Sequence, residues 1–369
     1  MIKYIKLYYK LLIIFLFKIV NKKIEILTDK DFSTYKNEIK LIKNKKFKIF
    51  FVKKGKIFTN SVDYAAYIYR NKIIPEVSYQ YKNSLQTNIK KNEVIKNGTP
   101  KFLKKIEKNI ISLISGGAAK HNYGHWLFDV LSRYCFIKKH YKFNKSDLFY
   151  VPAYRYQFQK ESLKYLNVSS NQVISSENIR YIQGKNIISS THPFSHKFSK
   201  IDHQVIKEIK KTFLPFKNFS NINTFDKIFI DRKYDKFNSL DKDLRKYKDE
   251  RILINHKEII SYLKIKNFHV IKCSDLSFSD QIKIFSNAKI IISMIGAELS
   301  NLVFCKPHTN VIEIKNNNKC FDFSNLSKKC NLNHQQIKLK PLFATKFRQN
   351  GILLCPISKL DIALKNLKI

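Results

Sequence analysis

His125, Asp129 and Arg133 fall at four-residue steps within residues 121–133, His-Asn-Tyr-Gly-His-Trp-Leu-Phe-Asp-Val-Leu-Ser-Arg. On a helix those steps share one stripe. An imidazole and a carboxylate so placed can orient or take a proton in a reaction, or pair merely to steady the helix. Leu127, Val130, Leu131 and Tyr134 occupy another stripe that can enter a core. An apolar run over residues 110–115 stops at Gly116-Gly117 just ahead. The His–Asp stripe is therefore expected where a helix rises from the carboxyl edge of a sheet, the edge at which open α/β folds bind ligands.

A second constellation suits an anion. Residues 291–301 read Ile-Ile-Ser-Met-Ile-Gly-Ala-Glu-Leu-Ser-Asn, and Val311-Ile312-Glu313-Ile314 follows. A strand, a small-residue turn at Gly296 and Ala297 and a helix start would aim N–H groups at a diphosphate and let it approach the backbone. Glu313 ends the next strand, where a carboxylate can accept hydrogen bonds from ribose hydroxyls. Arg232 and Arg251 add positive charge to the same half, and a planar guanidinium grips phosphate oxygens in a way Lys cannot. Their alternative is surface pairing with Asp231 or Glu250. Asp241 and Asp243 form an Asp-x-Asp in a Lys-rich polar stretch, which reads as a solvated loop or helix start and not as a metal site. The sequence has no Gly-x-Ser-x-Gly, P-loop or His-Glu-x-x-His.

These residues need a scaffold of alternating elements. Strands are expected at 148–151 and 186–189, and helices at 126–139 and 158–166, with short strands and Lys-rich connections over 21–60. A polar stretch at 215–225 reads as a linker. Beyond it the alternation resumes. A strand at 227–230 is followed by a helix that starts at Asn255, three residues before Glu258, and runs to about residue 266. A strand at 268–272 precedes a helix through 287 that opens on the capping-box spacing Ser277/Asp280. Strands at 290–294 and 310–314 flank a short helical segment over 298–305, and a last helix covers 357–367. The pattern is α/β, with parallel sheets covered on both faces.

Composition narrows the function. A chain of 369 residues with 44% hydrophobic and 14% aromatic content folds around real cores and is long enough for two lobes. The net charge of +42 suggests nucleic acid at first sight, but Arg supplies only eight of the 70 basic residues. Base reading and bidentate phosphate contacts lean on Arg. Anionic surfaces or acidic glycans are the better expectation, and no nucleic-acid partner is expected. The six Cys (135, 273, 305, 320, 330 and 355) match no zinc spacing, and free thiols fit a reducing cytoplasm. Residues 11–17 are uninterruptedly apolar between Lys10 and Lys18, far short of the about 20 residues a spanning helix needs. A helix there either lies on the inner face of an anionic membrane or packs on the protein itself.

Taken in order, the motifs resemble glycosyltransferase family 61, found in bacterial capsular polysaccharide synthesis and in eukaryotic protein- and xylan-modifying transferases. The resemblance runs from about residue 56 to the C-terminus. It rests on Asn122-Tyr123-Gly124-His125-Trp126-Leu127-Phe128-Asp129, on Phe149-Tyr150-Val151-Pro152 with Phe158-Gln159, and on Arg232-Lys233. Arg251 ahead of Asn255 and Glu258 continues it, and Gly296-Ala297-Glu298-Leu299-Ser300-Asn301-Leu302 with the Val-Ile-Glu strand closes it. The family usually has His where this chain has Ile295 and Gly where it has Glu298.

The resemblance implies a GT-B-like fold, two Rossmann-like lobes with parallel sheets facing across a cleft. It implies inverting transfer from a nucleotide-sugar donor to a glycan or lipid-linked acceptor, with no obligatory metal and no cofactor beyond the donor substrate. His125 and Asp129 then carry the catalysis, with Asp129 read as the base and His125 as its orienting partner, although either assignment satisfies the sequence. Arg232, Arg251, Gly296, Ala297, Asn301 and Glu313 fall on the donor side. The expected domains are an N-terminal helical segment at 1–22, an acceptor-side lobe at 23–218, a nucleotide-sugar lobe at 222–340 and a closing tail at 341–369. Ile295 and Glu298 leave a second reading, a catalytically silent subunit of a polysaccharide assembly complex, and the Lys excess a third, a nucleic-acid-binding protein.

Overall fold

The computed structural model describes residues 2–20, 23–43, 47–82, 85–191, 201–232, 243–318, 322–345 and 349–367. Cys320, Lys233 and Asp241 lie outside them. Contacts divide the chain into two compact units, Met1–His196 and Lys197–Ile369.

The first unit holds two sheets. Four short apolar strands, Val173–Ser175, Leu148–Val151, Ile110–Ser112 and Asn186–Ser190, pair in parallel in that order, and the antiparallel strands Lys48–Lys53 and Ile39–Lys43 extend the edge. This is the alternating α/β layer the sequence suggests. The second sheet was not expected. It has eight strands, mostly antiparallel, drawn from Glu25 to Gly184 with Lys56–Thr59 and Tyr64–Tyr69 at its centre. Phe50, Val52, Ile110 and Tyr150 of the first sheet share one core with Ile57, Tyr67 and Ile182 of the second. Burying side chains of this size stabilises by roughly 1.5–3 kcal/mol each relative to exposure, so the two sheets hold each other in place.

Ile2–Val20 forms one helix, with Ile14 buried and Tyr4, Tyr8, Leu12 and Phe15 exposed. No helix among the described residues is long and apolar enough to cross a membrane.

The second unit is built on a five-stranded, wholly parallel sheet. Its order is His269–Ile271, Lys227–Ile230, Ile290–Met294, Asn310–Asn316, Asn333–Leu339. Ile290–Met294 and Asn310–Asn316 are buried at every residue, as strands covered on both faces must be. The Ser277–Asp280 capping box is formed as its spacing requires and starts the helix Phe278–Asn287. The helix His203–Phe213 packs in this unit, with Lys210 donating to the Cys305 carbonyl and Phe213 set edge-on to Phe278. Two local expectations change. Arg251 lies on a strand, Arg251–Leu253, that pairs with Gly351–Leu353 rather than on a loop. Asn255 does not cap the helix His256–Ile265 with its side chain but donates to Glu258 and to the Cys355 carbonyl.

The strand order carries the consequence for function. The chain enters at Lys227–Ile230, places its second strand on one side and its third, Ile290–Met294, on the other. Between those two strands the winding reverses, and the connections leave a crevice at their carboxyl ends. Asp231-Arg232 and Ile295-Gly296 are the residues that emerge there.

Candidate active site

In the first unit, the strand Ile110–Ser112 exits through Gly116-Gly117. The Gly117 N–H donates to the Val62 carbonyl at 2.7 Å. A Cβ on Gly117 would lie 2.9 Å from that same oxygen, which is backbone and cannot yield. The chain turns through Gly117–Lys120, and Asn122 caps the next helix by accepting from the His125 N–H.

That helix is not uniform. It is α over Tyr123–His125, π over Trp126–Leu131 and α again over Ser132–Lys138. A π turn inside an α-helix loses hydrogen-bond regularity and occurs mostly at functional sites. Across the start of that turn His125 Nδ1 and Asp129 Oδ2 are 2.8 Å apart, the imidazole 22% exposed and the carboxylate only 2%. The carboxylate is thus the more enclosed of the two and meets the Nδ1 side of the ring, and the imidazole is the more exposed.

Arg133 is fully buried and donates from Nη1 to the Ile114 carbonyl at 2.6 Å. It ties the helix to the strand exit and is not on an open stripe with His125. The motif aromatics also have structural work. Trp126 is fully buried and donates from Nε1 to Ser162 Oγ at 2.9 Å. Phe158 sits edge-on to Tyr123 and Trp126. The buried Gln159 donates to the Lys120 carbonyl and accepts from the Arg155 and Tyr156 N–H groups. Tyr81, which sequence reasoning did not single out, packs against Gly116, where a Cβ would meet its ring at 2.9 Å. Burial pushes its hydroxyl well above the ordinary phenol range, and the Asp129 charge pushes the same way while Arg133 opposes it. It comes from a hairpin strand, Tyr79–Lys82, with no motif to mark it.

In the second unit, the two arginines converge. Arg232 Nη1 and Arg251 Nη1 lie 3.4 and 3.3 Å from the carbonyl oxygen of Ile295. Arg232 Nη1 is also 3.3 Å from Glu298 Oε2. The Ile295 side chain is buried, so its contribution here is the backbone carbonyl. Gly296 is extended, with φ −170° and ψ 169°, and no strain requires glycine. Space does: a Cβ would lie 2.1 Å from Glu298 Oε2 and 2.2 Å from Arg232 Nη1. Ala297 opens the 3-10 segment Ala297–Phe304. Asp231 is buried beside this cluster, and its Oδ1 has no hydrogen-bond partner among the described residues. Burial raises its carboxyl pKa, with His256 and Lys272 opposing. Burial likewise raises the Cys273 thiol, and the charge of Glu298 adds to it.

Two residues assigned to the donor side are committed elsewhere. Asn301 is fully buried and donates to Gln281 Oε1 at 2.9 Å, pinning the 3-10 segment to the helix Phe278–Asn287. Glu313 is fully buried too. Its carboxylate accepts from the Phe323 N–H and from Gln336 and meets His334 Nε2 at 3.1 Å. Glu313 lies in the middle of the strand Asn310–Asn316 and not at its end as expected, and a carboxylate inside a fully buried strand must find its partners within the protein. Among the described residues no group of three or more His, Cys, Asp or Glu is arranged to hold a metal ion. Asp243 caps a 3-10 turn, accepting from the Arg245 N–H, in keeping with a helix start.

The family model described as Glycosyltransferase 61 matches residues 123–312, just over half of the chain. The match opens two residues before His125, takes in Asp129, Arg232, Arg251, Gly296, Ala297 and Asn301, and closes one residue short of Glu313. No curated protein matches the chain.

Proposed function

The chain belongs to glycosyltransferase family 61, and on that premise we propose that it moves a sugar from a nucleotide-sugar donor to a hydroxyl of a glycan or lipid-linked acceptor, in the synthesis of surface or capsular polysaccharide. The reading is of a GT-B type enzyme, with the first unit as the acceptor-side lobe and the second as the donor lobe, the boundary expected at 218–222 moving back to 196–197 because the helix His203–Phe213 packs in the second unit. The observation that carries it is the meeting of Arg232 and Arg251 on the Ile295 carbonyl beside Gly296, at the switch point of a parallel sheet. Two guanidiniums and a turn without a side chain are what a diphosphate requires.

In this proposal His125 Nε2 takes the proton from the acceptor hydroxyl, and Asp129 holds the ring and stabilises the imidazolium that forms. The acceptor oxygen attacks the anomeric carbon from the face opposite the diphosphate, so the new glycosidic bond forms as the carbon–phosphate-oxygen bond breaks, with inversion. The nucleoside diphosphate leaves with its charge neutralised by Arg232 and Arg251, and no metal is called on. The exposed Tyr4, Tyr8, Leu12 and Phe15 support a peripheral contact of the first helix with the anionic inner face of a membrane.

The test is thermal unfolding in the presence of UDP-, GDP-, CDP- and dTDP-sugars in turn. A ligand bound only to the folded chain stabilises it by about 2.7 kcal/mol at a hundredfold excess over Kd. Protection by at least one donor is expected; protection by none would sink the reading. Gly296→Ala refines it. The added methyl must separate Arg232 from Glu298, two flexible side-chain ends, so unfolding should shift by no more than about 1 kcal/mol. Donor affinity should fall about tenfold or more because the anion can no longer reach the backbone. An alanine variant that bound donor as tightly as the native chain would remove Gly296 from the donor site.

A further inference from the structure

We infer that Glu298 is a built-in anion that occupies the diphosphate cradle and sets the donor affinity of this chain; the inference rests on the donor-site reading above. The cradle has three components: the missing side chain of Gly296, the guanidinium of Arg232 and the start of the 3-10 segment at Ala297. The Glu298 carboxylate lies in all three. Its Oε2 is 2.1 Å from where a Gly296 Cβ would stand, which is the volume that glycine vacates for a ligand. The same oxygen is 3.3 Å from Arg232 Nη1, and both side chains are about a quarter exposed, 26% and 21%, so neither is locked in the core. Glu298 is also the second residue of the 3-10 segment, where a negative charge is favoured by the exposed N–H groups. A carboxylate there does for Arg232 what a phosphate oxygen would do.

A diphosphate cannot enter while the carboxylate stays. It must take Arg232 from Glu298 and turn that side chain toward solvent, a movement its partial exposure allows. The ion pair of the empty chain is thus lost on binding, and donor affinity is lowered by its worth and by the repulsion between carboxylate and phosphates. Neutralising the side chain without changing its shape removes both.

The experiment is calorimetric titration of native chain, Glu298→Gln and Glu298→Ala with inorganic pyrophosphate and, separately, with UDP, GDP and CDP. Both variants are expected to bind pyrophosphate roughly tenfold more tightly than the native chain, and the nucleotide the chain prefers by a similar factor. The alanine variant controls for any hydrogen bond the glutamine keeps with Arg232. Equal or weaker pyrophosphate binding by both variants, with unchanged unfolding temperatures, would overturn the inference. A native chain protected by a nucleotide sugar whose variants bind no tighter keeps the transferase reading and loses the role of Glu298. Variants that gain pyrophosphate affinity while no nucleotide sugar binds or reacts keep the cradle and its carboxylate and lose the transferase reading.

Discussion

A His125→Gln chain is expected to bind its donor as tightly as the native chain and to turn it over about 10²–10⁴-fold more slowly, the usual contribution of a positioned general base. Glutamine is close in size and keeps a polar end against Asp129, so the surrounding packing around the buried Trp126 and Leu127 is retained. What disappears is a ring nitrogen able to accept a proton. Asp129→Asn separates the two roles. If Asp129 positions the ring through the 2.8 Å contact to Nδ1, the asparagine variant keeps donor affinity and loses turnover by a smaller factor than His125→Gln. An asparagine variant that lost more turnover than His125→Gln would return the base to Asp129. Donor protection and initial rates, measured on the same preparations, decide between these outcomes.

The second large effect is on binding. Arg232→Ala is expected to weaken donor affinity by about tenfold to a hundredfold, the range set by one charge-assisted hydrogen bond of about 1.5–3 kcal/mol. The lower end is the expectation if Arg251, 3.3 Å from the same Ile295 carbonyl, moves in to share the load. Glu298, left without its cation, adds repulsion and pushes toward the upper end. Arg232→Lys should recover only part of the loss, since an ammonium cannot span two phosphate oxygens as a guanidinium does. Titration calorimetry with the protecting nucleotide reads all three, and an alanine variant with native affinity would remove Arg232 from the site.

Much of this was legible in the sequence because it follows from local rules. Ser277 and Asp280 fix a helix start by reciprocal hydrogen bonds, and Ile290–Met294 is apolar throughout because parallel strands are buried on both faces. Gly296 and the two arginines stand out by residue type; the pairing of Lys227–Ile230 with Ile290–Met294 brings Arg232 to Ile295, whereas Arg251 arrives from a separate two-stranded sheet. Other features depend on tertiary surroundings that no local pattern encodes. Asn255 has the spacing of a cap, yet the Cys355 carbonyl, a hundred positions along the chain, competes successfully for its side chain. Glu313 reads as a ligand-facing strand end, but the half-buried His334 and Gln336 arrive from the adjacent strand and claim it. Arg133 keeps helical step with His125, and only the position of the Ile114 carbonyl shows that it points into the protein. The π turn over Trp126–Leu131 and the packing of Tyr81 against Gly116 have no sequence signature. The mostly antiparallel sheet of the first unit escaped because its strands are short and Lys-rich, with too few alternations to register as period two.

The central claim is that one chain divides a sugar transfer between a donor cradle at Gly296 and a proton-accepting pair at His125. It is tested most directly by measuring donor affinity and release of free nucleotide side by side in the native chain, Arg232→Ala and His125→Gln, with one nucleotide sugar and a hydroxyl acceptor. The expected result is that Arg232→Ala loses affinity and His125→Gln loses turnover alone. Native turnover in His125→Gln, or a nucleotide sugar consumed equally well without Arg232, would contradict the account.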